Sequence, residues 1–347
     1  MSELWFGLSR SDQIEGLEVA AGRSGRPAHL LEKDIWVVWA LAAIYNSTLA
    51  KTLTFKGGTS LSKVYKIIDR FSEDIDLTYD IRELVPDLLR DGNPIPTSSG
   101  QEKKITGAVR ARLPGWIAEM VMPVIEHALA VNGRQAELSV AGKDNDKLII
   151  AYPAVKTGTG YVAPSIQLKF GARATGEPHQ THRVVCDISP FIEEVEFPSA
   201  RPLVMAAERT FWEKATAAHV YCLQGRLRSE RYSRHWYDLA AIAKSAHFAN
   251  AIRDQSLAIQ VAEHKSMFFS EKDVAGDKID YFKTTNGFLQ LIPEGASLAA
   301  LEKDYAAMLE DGLLALDQPK FSALMENCRV IQDQVNLLQQ GYTKTSD

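Results

Sequence analysis

The chain has 347 residues, of which 46% are hydrophobic and 24% are charged, an ordinary balance for a soluble globular protein. Its net charge of -5 argues against a protein that coats nucleic acid generally, but it is compatible with a local basic patch. The three cysteines, Cys186, Cys222 and Cys328, form no CxxC pair. This argues against a zinc knuckle or a disulfide scaffold and favours a reducing, cytoplasmic setting.

Targeting and membrane signals are the next feature to consider. The first twelve residues, MSELWFGLSRSD, do not have the layout of a signal peptide. The longest apolar run, residues 35–45, is too short to cross a bilayer and predicts a core helix instead. We therefore expect a protein with no membrane partner, built as one large domain or two.

The first part of the chain predicts helices and strands around a pair of glycines. In chain order these are a helix over residues 27–46, a strand over 52–55, a helix over 60–69 and a strand over 75–79. Gly57 and Gly58 fall between the first strand and the second helix. The N–H groups of this turn would then lie at a helix N-terminus, which is a natural anion site.

The remainder predicts more strands and then a helical region. A Gly/Pro/Ser-rich loop over residues 91–101 precedes a helical stretch to residue 130 that is interrupted near Pro114. Strands are predicted over residues 136–140, 147–152, 165–170 and 183–188, and helices from about Pro202 onward. The fold class is therefore α+β, with a mixed core followed by helices.

Two aspartates follow the glycine turn. Asp74 and Asp76 are two residues apart, so on a strand they point to the same face. Neighbouring carboxylates repel each other unless a cation lies between them, and Mg²⁺ is commonly held by carboxylates together with substrate phosphates. A phosphate cradle followed by a metal dyad indicates phosphoryl or nucleotidyl transfer. A DxD alone is also compatible with a solvated turn.

Five segments in order resemble the AbiEii/AbiGii-type toxin nucleotidyltransferases, within the DNA polymerase β-like superfamily. These are LEKDIW at residues 31–36, KGGTSL at 56–61, RFSEDID at 70–76, TFWEK at 210–214 and YSRHWYDL at 232–239. Their order and spacing agree over roughly residues 28–245, and together they are far more specific than a single GGT or DID.

The resemblance implies a polymerase β-like core with a mixed sheet over residues 1–200, followed by a helical domain over residues 201–347. It implies a toxin of a toxin–antitoxin or phage-defence system, restrained by a cognate antitoxin. It also implies transfer of a nucleoside monophosphate from an NTP to an acceptor, for which RNA such as a tRNA acceptor end is the expected choice.

The resemblance also assigns roles to residues. Asp74 and Asp76 would bind one or two Mg²⁺ ions, and Lys214 would stabilise the phosphates during transfer. Asp238 would align the acceptor, act as a base or position Lys214. Without the resemblance, Lys214 is an exposed or ion-paired helical lysine, and Asp238 is an aspartate on a helix surface.

Substrate contacts are predicted around the glycine turn. The candidates for the triphosphate are Gly57, Gly58, Thr59, Ser60, Ser72 and Lys63. Gly58 would allow close backbone approach, and the hydroxyls of Thr59 and Ser60 would donate hydrogen bonds. The alternatives are an ordinary helix cap, a local turn hydrogen bond for Ser72 and an exposed helical position for Lys63.

Lys169 lies at a point where many polymerase β-like enzymes carry a third carboxylate on a strand. The alternating residues 166, 168 and 170 are apolar, so Lys169 faces the opposite side with Gln167. Either two carboxylates suffice or Asp187 contributes a third, and Lys169 would then contact phosphate. The competing interpretation is a lysine on the wet face of an edge strand.

The densest basic cluster is a candidate RNA-binding segment. It comprises Arg226, Arg228, Arg231 and Arg234, with Tyr232, His235 and Trp236 interleaved. Basic side chains with aromatic rings suit single-stranded RNA ends, whereas a solvated helix junction is the alternative.

Two further functions remain open from the sequence. One is a toxin-type kinase that transfers the γ-phosphate to a protein, and the other is a non-catalytic nucleotide- or RNA-binding module. The intact Asp74–Asp76 pair argues against the binding module, whereas the missing third carboxylate argues mildly for it.

Overall fold

The computed structural model describes residues 3–70, 72, 74–156, 163–226, 231–310, 314 and 318–344. The chain forms two compact units. The sheet unit comprises Met1–Val64, Ser72–Pro94 and Lys104–Met205, and the helical unit comprises Tyr65–Phe71, Ile95–Lys103 and Ala206–Asp347.

A mixed sheet organises the sheet unit. The strands are β1 (Glu3–Leu4), β2 (Leu53–Lys56), β3 (Asp74–Asp80), β4 (Glu137–Ala141), β5 (Lys147–Ala151), β6 (Ser165–Ala174), β7 (His179–Thr181), β8 (Val184–Val185), β9 (Val195–Glu196), β10 (Ser199–Ala200) and β11 (Leu203–Met205). Among the described residues, seven of them form one sheet in the order β4-β5-β6-β3-β2-β11-β7. The central strand β3 runs parallel to β6 and antiparallel to β2. The predicted α+β class with a mixed sheet is confirmed.

Helices of the first part of the chain accompany this sheet. They are α1 (Arg10–Ser24), α2 (Ala28–Tyr45), α3 (Gly57–Lys63), α4 (Ile81–Leu84), α5 (Ser99–Trp116) and α6 (Met122–Val131). The helix α2 is buried along most of its length, including its apolar residues from Leu31 to Leu41. This confirms the core helix predicted over residues 27–46, whose wide apolar surface requires burial on several sides.

The helix after the glycines differs from its prediction at both ends. It begins at Gly57 and ends at Lys63, rather than spanning residues 60–69. Both glycines thus lie at the first positions of the helix, and Gly57 has a left-handed φ of +81°, which glycine adopts readily. The chain leaves the sheet unit after Val64, and Lys66 has a left-handed φ of +53° that a continuing helix excludes.

The helical stretch to residue 130 is interrupted close to Pro114, as predicted. Pro114 itself lies inside α5, and a π-helical turn over Ile117–Val121 separates α5 from α6. Other boundaries were predicted incorrectly. The strand predicted over residues 183–188 is reduced to β8, while β7 and β11 were not predicted. Pairing over two or three residues is set by neighbouring strands, and such short segments show no alternation of their own.

The helical unit has a separate core. Its helices are α7 (Ala207–Gln224), α8 (Arg234–Ala243), α9 (Ala246–Arg253), α10 (Gln255–Phe268), α11 (Gly295–Glu310) and α12 (Phe321–Lys344). Trp212, Tyr221, Trp236 and Tyr305 are its largest fully buried side chains. Within the described parts of the chain, no helix combines the length and apolar character needed to cross a membrane.

Candidate active site

The strand β3 presents the two predicted metal ligands on one face. Asp74 and Asp76 are half-buried, whereas Ile75 and Leu77, which alternate with them, are fully buried. The strand is central, since it pairs with both β2 and β6. The alternative of a solvated turn is therefore wrong, and the same-face arrangement expected from the spacing is confirmed.

Gly57 allows the backbone to approach the dyad closely. A Cβ atom at this position would collide with the carboxylate of Asp76, and the positive φ also favours glycine. The first N–H groups of α3 have no acceptor within the helix, as at any helix start. The start of α3 thus brings main-chain donors next to a carboxylate.

The hydroxyls near the glycines have partners inside the protein. Thr59 donates to the carbonyl oxygen of Asp74, and its Oγ1 lies 2.9 Å from Oγ of Ser72. Ser60 donates to the carbonyl oxygen of Gly57 at 2.9 Å. These bonds tie the start of α3 to itself and to β3. Their visible role is to hold the glycine backbone in place. Ser72 accepts from Thr59, thirteen residues away, which is not the local turn hydrogen bond considered as the alternative for Ser72.

Lys63 is buried with only 7% of its surface exposed, so the alternative that it is an exposed helical lysine is wrong. Its Nζ lies 2.5 Å from Oδ1 of Asp34 and 2.9 Å from Oδ1 of Asp187. Burial lowers the pKa of Lys63, but the two carboxylates outweigh it and raise this pKa overall. Lys63 therefore joins α3 to α2 and to the segment that carries Asp187.

Asp187 does not complete the dyad. Its carboxylate is engaged by Lys63 and by Arg26, whose NH1 lies 2.5 Å from Oδ2. Within the described residues, which include Asp74 and Asp76, no three His, Cys, Asp or Glu side chains are grouped so that they could hold a metal ion. The suggestion that Asp187 supplies a third metal ligand is thus not supported by its position.

Lys169 lies beside the dyad. Its strand β6 lies between β5 and β3, so the edge-strand interpretation is wrong. Lys169 is the register partner of Asp76, and its Nζ forms an ion pair with the carboxylate of Asp74. A cationic side chain therefore faces both carboxylates from the neighbouring strand.

The dyad has the chemistry of a site for a hard cation. Two carboxylates on one face supply the oxygen ligands that Mg²⁺ prefers, and phosphate and water oxygens commonly supply the rest. The close backbone approach at Gly57 leaves main-chain donors for the phosphates. The residues therefore fit a metal ion that arrives with a polyphosphate.

In the helical unit, Lys214 and Asp238 form an ion pair. Lys214 on α7 and Asp238 on α8 approach to 2.7 Å between Nζ and Oδ2. Asp238 is 0% exposed, so the alternative that it is an aspartate on a helix surface is wrong. Arg70 donates a bidentate pair of hydrogen bonds to the same carboxylate, with Nε 2.7 Å from Oδ1 and NH2 2.8 Å from Oδ2. The structure thereby unites two predicted site residues and adds a third.

The pKa values of Asp238 and Lys214 limit the chemical roles that Asp238 can take. Burial raises the pKa of Asp238, but the charges of Arg70 and Lys214 outweigh it and hold the pKa well below the usual range of an aspartate. Burial lowers the pKa of Lys214, and Asp238 offsets this only in part. So acidic a carboxylate is a poor base. Of the three roles considered for it, the geometry favours the positioning of Lys214.

Arg70 is the residue that sequence reasoning missed. It belongs to the matched segment RFSEDID but received no role, because its partner Asp238 is 168 residues away. The one available signal was an arginine within the same matched segment as the dyad, four residues before Asp74. Strand spacing and helical periodicity carry no information about such a long-range ion pair.

Only part of the basic cluster lies among the residues that the structure describes. Arg226 is exposed and Arg234 begins α8, whereas Arg228 lies outside the described residues. The backbone N–H of Arg231 donates to Asp304 at 2.7 Å. The RNA contacts expected of these arginines therefore stay a prediction.

Two of the interleaved aromatic residues belong to the core. Trp236 is 0% exposed and donates from Nε1 to the carbonyl oxygen of Leu291 at 2.6 Å. Tyr232 is also buried. The expectation that these rings stack on RNA bases is therefore wrong, because packing in the helical unit already covers them.

Comparison with known proteins places the chain in a class. A family model described as nucleotidyl transferase AbiEii toxin, type IV TA system, matches residues 39–327. This is most of the chain, which therefore belongs to the AbiEii family of nucleotidyltransferase toxins of type IV toxin–antitoxin systems. The resemblance seen in the sequence motifs is confirmed.

Among solved structures, the chain is similar to MenT4, nucleotidyltransferase toxin Rv2826c from Mycobacterium tuberculosis H37Rv. The two share 15% sequence identity over 96% of this chain and 99% of that chain, with a TM-score of 0.41. No curated protein matches the chain.

Proposed function

We propose that this toxin transfers a nucleoside monophosphate from an NTP to an RNA acceptor, with the tRNA acceptor end as the expected target. The observation that carries the proposal is the placement of Asp74 and Asp76 on one face of a central strand, with Asp76 against the backbone of Gly57. A dyad beside main-chain donors suits a metal-bearing triphosphate.

In the reaction, a hydroxyl oxygen of the acceptor forms a bond to the α-phosphorus of the NTP. The bond between that phosphorus and the bridging oxygen to the β-phosphate breaks, pyrophosphate leaves, and the hydroxyl proton passes to solvent. Mg²⁺ held by Asp74 and Asp76 would neutralise charge on the phosphates. The protein groups orient the chain of phosphates and stabilise the charge that develops on them.

Most of the predicted residues around the glycines take a part in this scheme. The backbone at Gly57 and Gly58 receives the triphosphate, and Thr59, Ser60 and Ser72 hold that backbone through their internal hydrogen bonds. Lys169 contacts phosphate from β6.

For the helical unit, we propose that Lys214 stabilises the charge of the leaving pyrophosphate. Asp238 holds Lys214, and Arg70 holds Asp238. Removing one such charge contact at a reacting centre typically costs about a hundredfold or more in rate. Lys63 takes no direct part in the scheme, because two carboxylates already engage it.

The RNA acceptor is assigned to the basic segment over residues 226–234. Arg226, Arg228, Arg231 and Arg234 would contact phosphates, which predicts that replacing two of them weakens RNA binding and flattens its salt dependence. An unchanged salt slope would remove this segment from the acceptor site. A type IV system also implies a cognate antitoxin, which we propose restrains the transferase.

The experiment that tests the proposal uses each α-³²P-labelled NTP with Mg²⁺ and either total RNA or a protein extract. Label entering RNA supports the proposal, and label entering protein moves the acceptor. Transfer of γ-label alone would make the toxin a kinase, and no transfer of either label would favour a binding module. Asp74→Asn should abolish transfer, whereas Asp144→Asn, an identical change at an exposed loop position, should not.

A further inference from the structure

A row of lysines crosses the sheet at the level of the dyad. Lys56 on β2 and Lys169 on β6 are both register partners of Asp76 on β3, and Lys147 on β5 is the register partner of Lys169. Register partners on neighbouring strands point to the same face of a sheet. Asp76 therefore lies between two lysines, and Asp74 forms an ion pair with one of them, Lys169.

The charges of this row limit how many metal ions it can hold. Two divalent cations in a two-metal site lie about 4 Å apart and need several carboxylates to offset their mutual repulsion. Here the two carboxylates share one face of the sheet with Lys56 and Lys169, and the formal charges of these four side chains sum to zero. In the described part of the chain, no third acidic, His or Cys side chain joins the dyad.

The geometry also shows a protein cation directly beside the dyad. The Nζ of Lys169 forms an ion pair with the carboxylate of Asp74, one of the two carboxylates that would hold a metal ion. An ammonium at that point supplies positive charge to the phosphates without requiring further acidic ligands. The backbone that carries this ammonium is held on both sides, because β6 is an internal strand.

We propose that Lys169, supported by Lys56, takes the place of a second metal ion, so that the site binds one divalent cation with each triphosphate. The inference rests on the proposed function in one respect, namely that the dyad is the metal site. It extends that function by assigning a one-metal stoichiometry and by identifying the protein cation that makes this stoichiometry sufficient.

The test counts Mn²⁺ bound per tripolyphosphate. Full-length protein is equilibrated with Mn²⁺ and inorganic tripolyphosphate, bound ions are counted by equilibrium dialysis, and the Mn²⁺ environment is recorded by electron paramagnetic resonance. The wild type should bind one Mn²⁺ with an isolated-ion spectrum. Lys169→Glu, which supplies a third carboxylate, should bind two Mn²⁺ ions with a spin-coupled spectrum.

Neutral variants supply the matched comparison. Lys169→Met should still bind one Mn²⁺ but should weaken tripolyphosphate binding by about tenfold, because one phosphate contact is lost. Lys147→Met removes the same charge one strand further from the dyad and should change neither quantity. Circular dichroism would establish that each variant is folded.

Two Mn²⁺ ions on the wild type would overturn the inference, as would a folded Lys169→Glu protein that keeps one ion and the wild-type spectrum. If Lys169→Glu does not fold, undiminished tripolyphosphate binding by Lys169→Met overturns it instead. The α-label assay separates this from the proposed function. One bound Mn²⁺ without any transfer would reject the transferase, whereas two ions with transfer to RNA would reject only the one-metal site.

Discussion

The two units each bury a lysine, and the two lysines differ in the number of carboxylates they meet. Lys63 in the sheet unit contacts both Asp34 and Asp187, whereas Lys214 in the helical unit shares the single carboxylate of Asp238 with an arginine. The pKa of Lys63 is raised, since the two carboxylates outweigh burial, while burial lowers the pKa of Lys214. A lysine with two anions is already satisfied.

The difference indicates how a buried charge becomes available for function. Taking an ion out of water is costly and is offset only by well-placed partners. Lys63 obtains these partners from the fold and contributes to structure. The pKa of Lys214 stays lowered beside Asp238, which is consistent with our proposal that the phosphates of the substrate supply further negative charge to it. The comparison therefore separates a structural lysine from a candidate catalytic one, although both are buried on helices.

The largest effect is expected from removing the anion that Lys214 and Arg70 share. Asp238→Asn leaves two buried cations without their carboxylate and should lower the free energy of unfolding by about 3–5 kcal/mol. Asp34→Asn leaves Lys63 with Asp187, so its cost should be smaller, about 1–3 kcal/mol. Urea denaturation followed by circular dichroism measures both. Equal losses would show that the two lysines do not differ in their dependence on a single carboxylate.

The next effect separates activity from stability. Lys214→Met should lower nucleotide transfer by about 10²–10³-fold, since it removes a charge from the phosphates, while Asp238 keeps its fork from Arg70. Lys63→Met leaves two carboxylates facing each other and should mainly lower the unfolding free energy, by about 3 kcal/mol.

Transfer rates and urea midpoints measured on the same preparations test this assignment. A folded Lys63→Met protein that loses transfer as completely as Lys214→Met would contradict it. A Lys214→Met protein with wild-type transfer would remove Lys214 from the reaction.

A smaller effect is expected at Arg70, which is linked to Lys214 through Asp238. Arg70→Lys keeps the charge but loses the bidentate hydrogen bonds to Asp238. We therefore expect the rate of transfer to fall by about tenfold, which is roughly 1.4 kcal/mol in activation free energy. The loss should appear in kcat with little change in KM for the NTP, because positioning rather than binding is impaired. Arg82→Lys is the matched control, since Arg82 also forks an aspartate, Asp80, at an exposed site. Equal losses at both positions would reject the positioning role.

The sequence could predict those parts of this comparison that depend on local spacing. Alternation placed Asp74 and Asp76 on one face, apolar periodicity identified α2, and the ordered motifs singled out Lys214 and Asp238. It could not predict the burial of Lys63, because its partners come from α2 and from a distant turn.

The sequence also could not predict the row of lysines beside the dyad. The alignment of Lys56, Asp76 and Lys169 depends on strand order and register, which are set by pairing between segments far apart in the chain. The fork from Arg70 to Asp238 is a tertiary contact of the same kind. Such contacts leave no periodic pattern, so only a three-dimensional structure reveals which charges meet.

The smallest effect should distinguish the two lysines by their response to alkaline pH. A raised folded-state pKa means that the stability from Lys63 is fully present below its unfolded pKa of about 10.4 and is lost as pH rises through the folded pKa. A lowered folded-state pKa has the opposite sign. For Lys214, stability increases as pH rises from the folded pKa towards about 10.4, because the buried ammonium is relieved of its charge.

These signs predict opposite trends in two differences of unfolding free energy. Between pH 8 and 11, the advantage of the wild type over Lys63→Met should shrink at the alkaline end. The difference between the wild type and Lys214→Met should instead shift in favour of the wild type as pH rises. Urea midpoints at several pH values measure both trends. Parallel trends would mean that the two lysines experience the same balance of burial and charge, so Lys214 would no longer stand out as the lysine that needs an anion from its ligand.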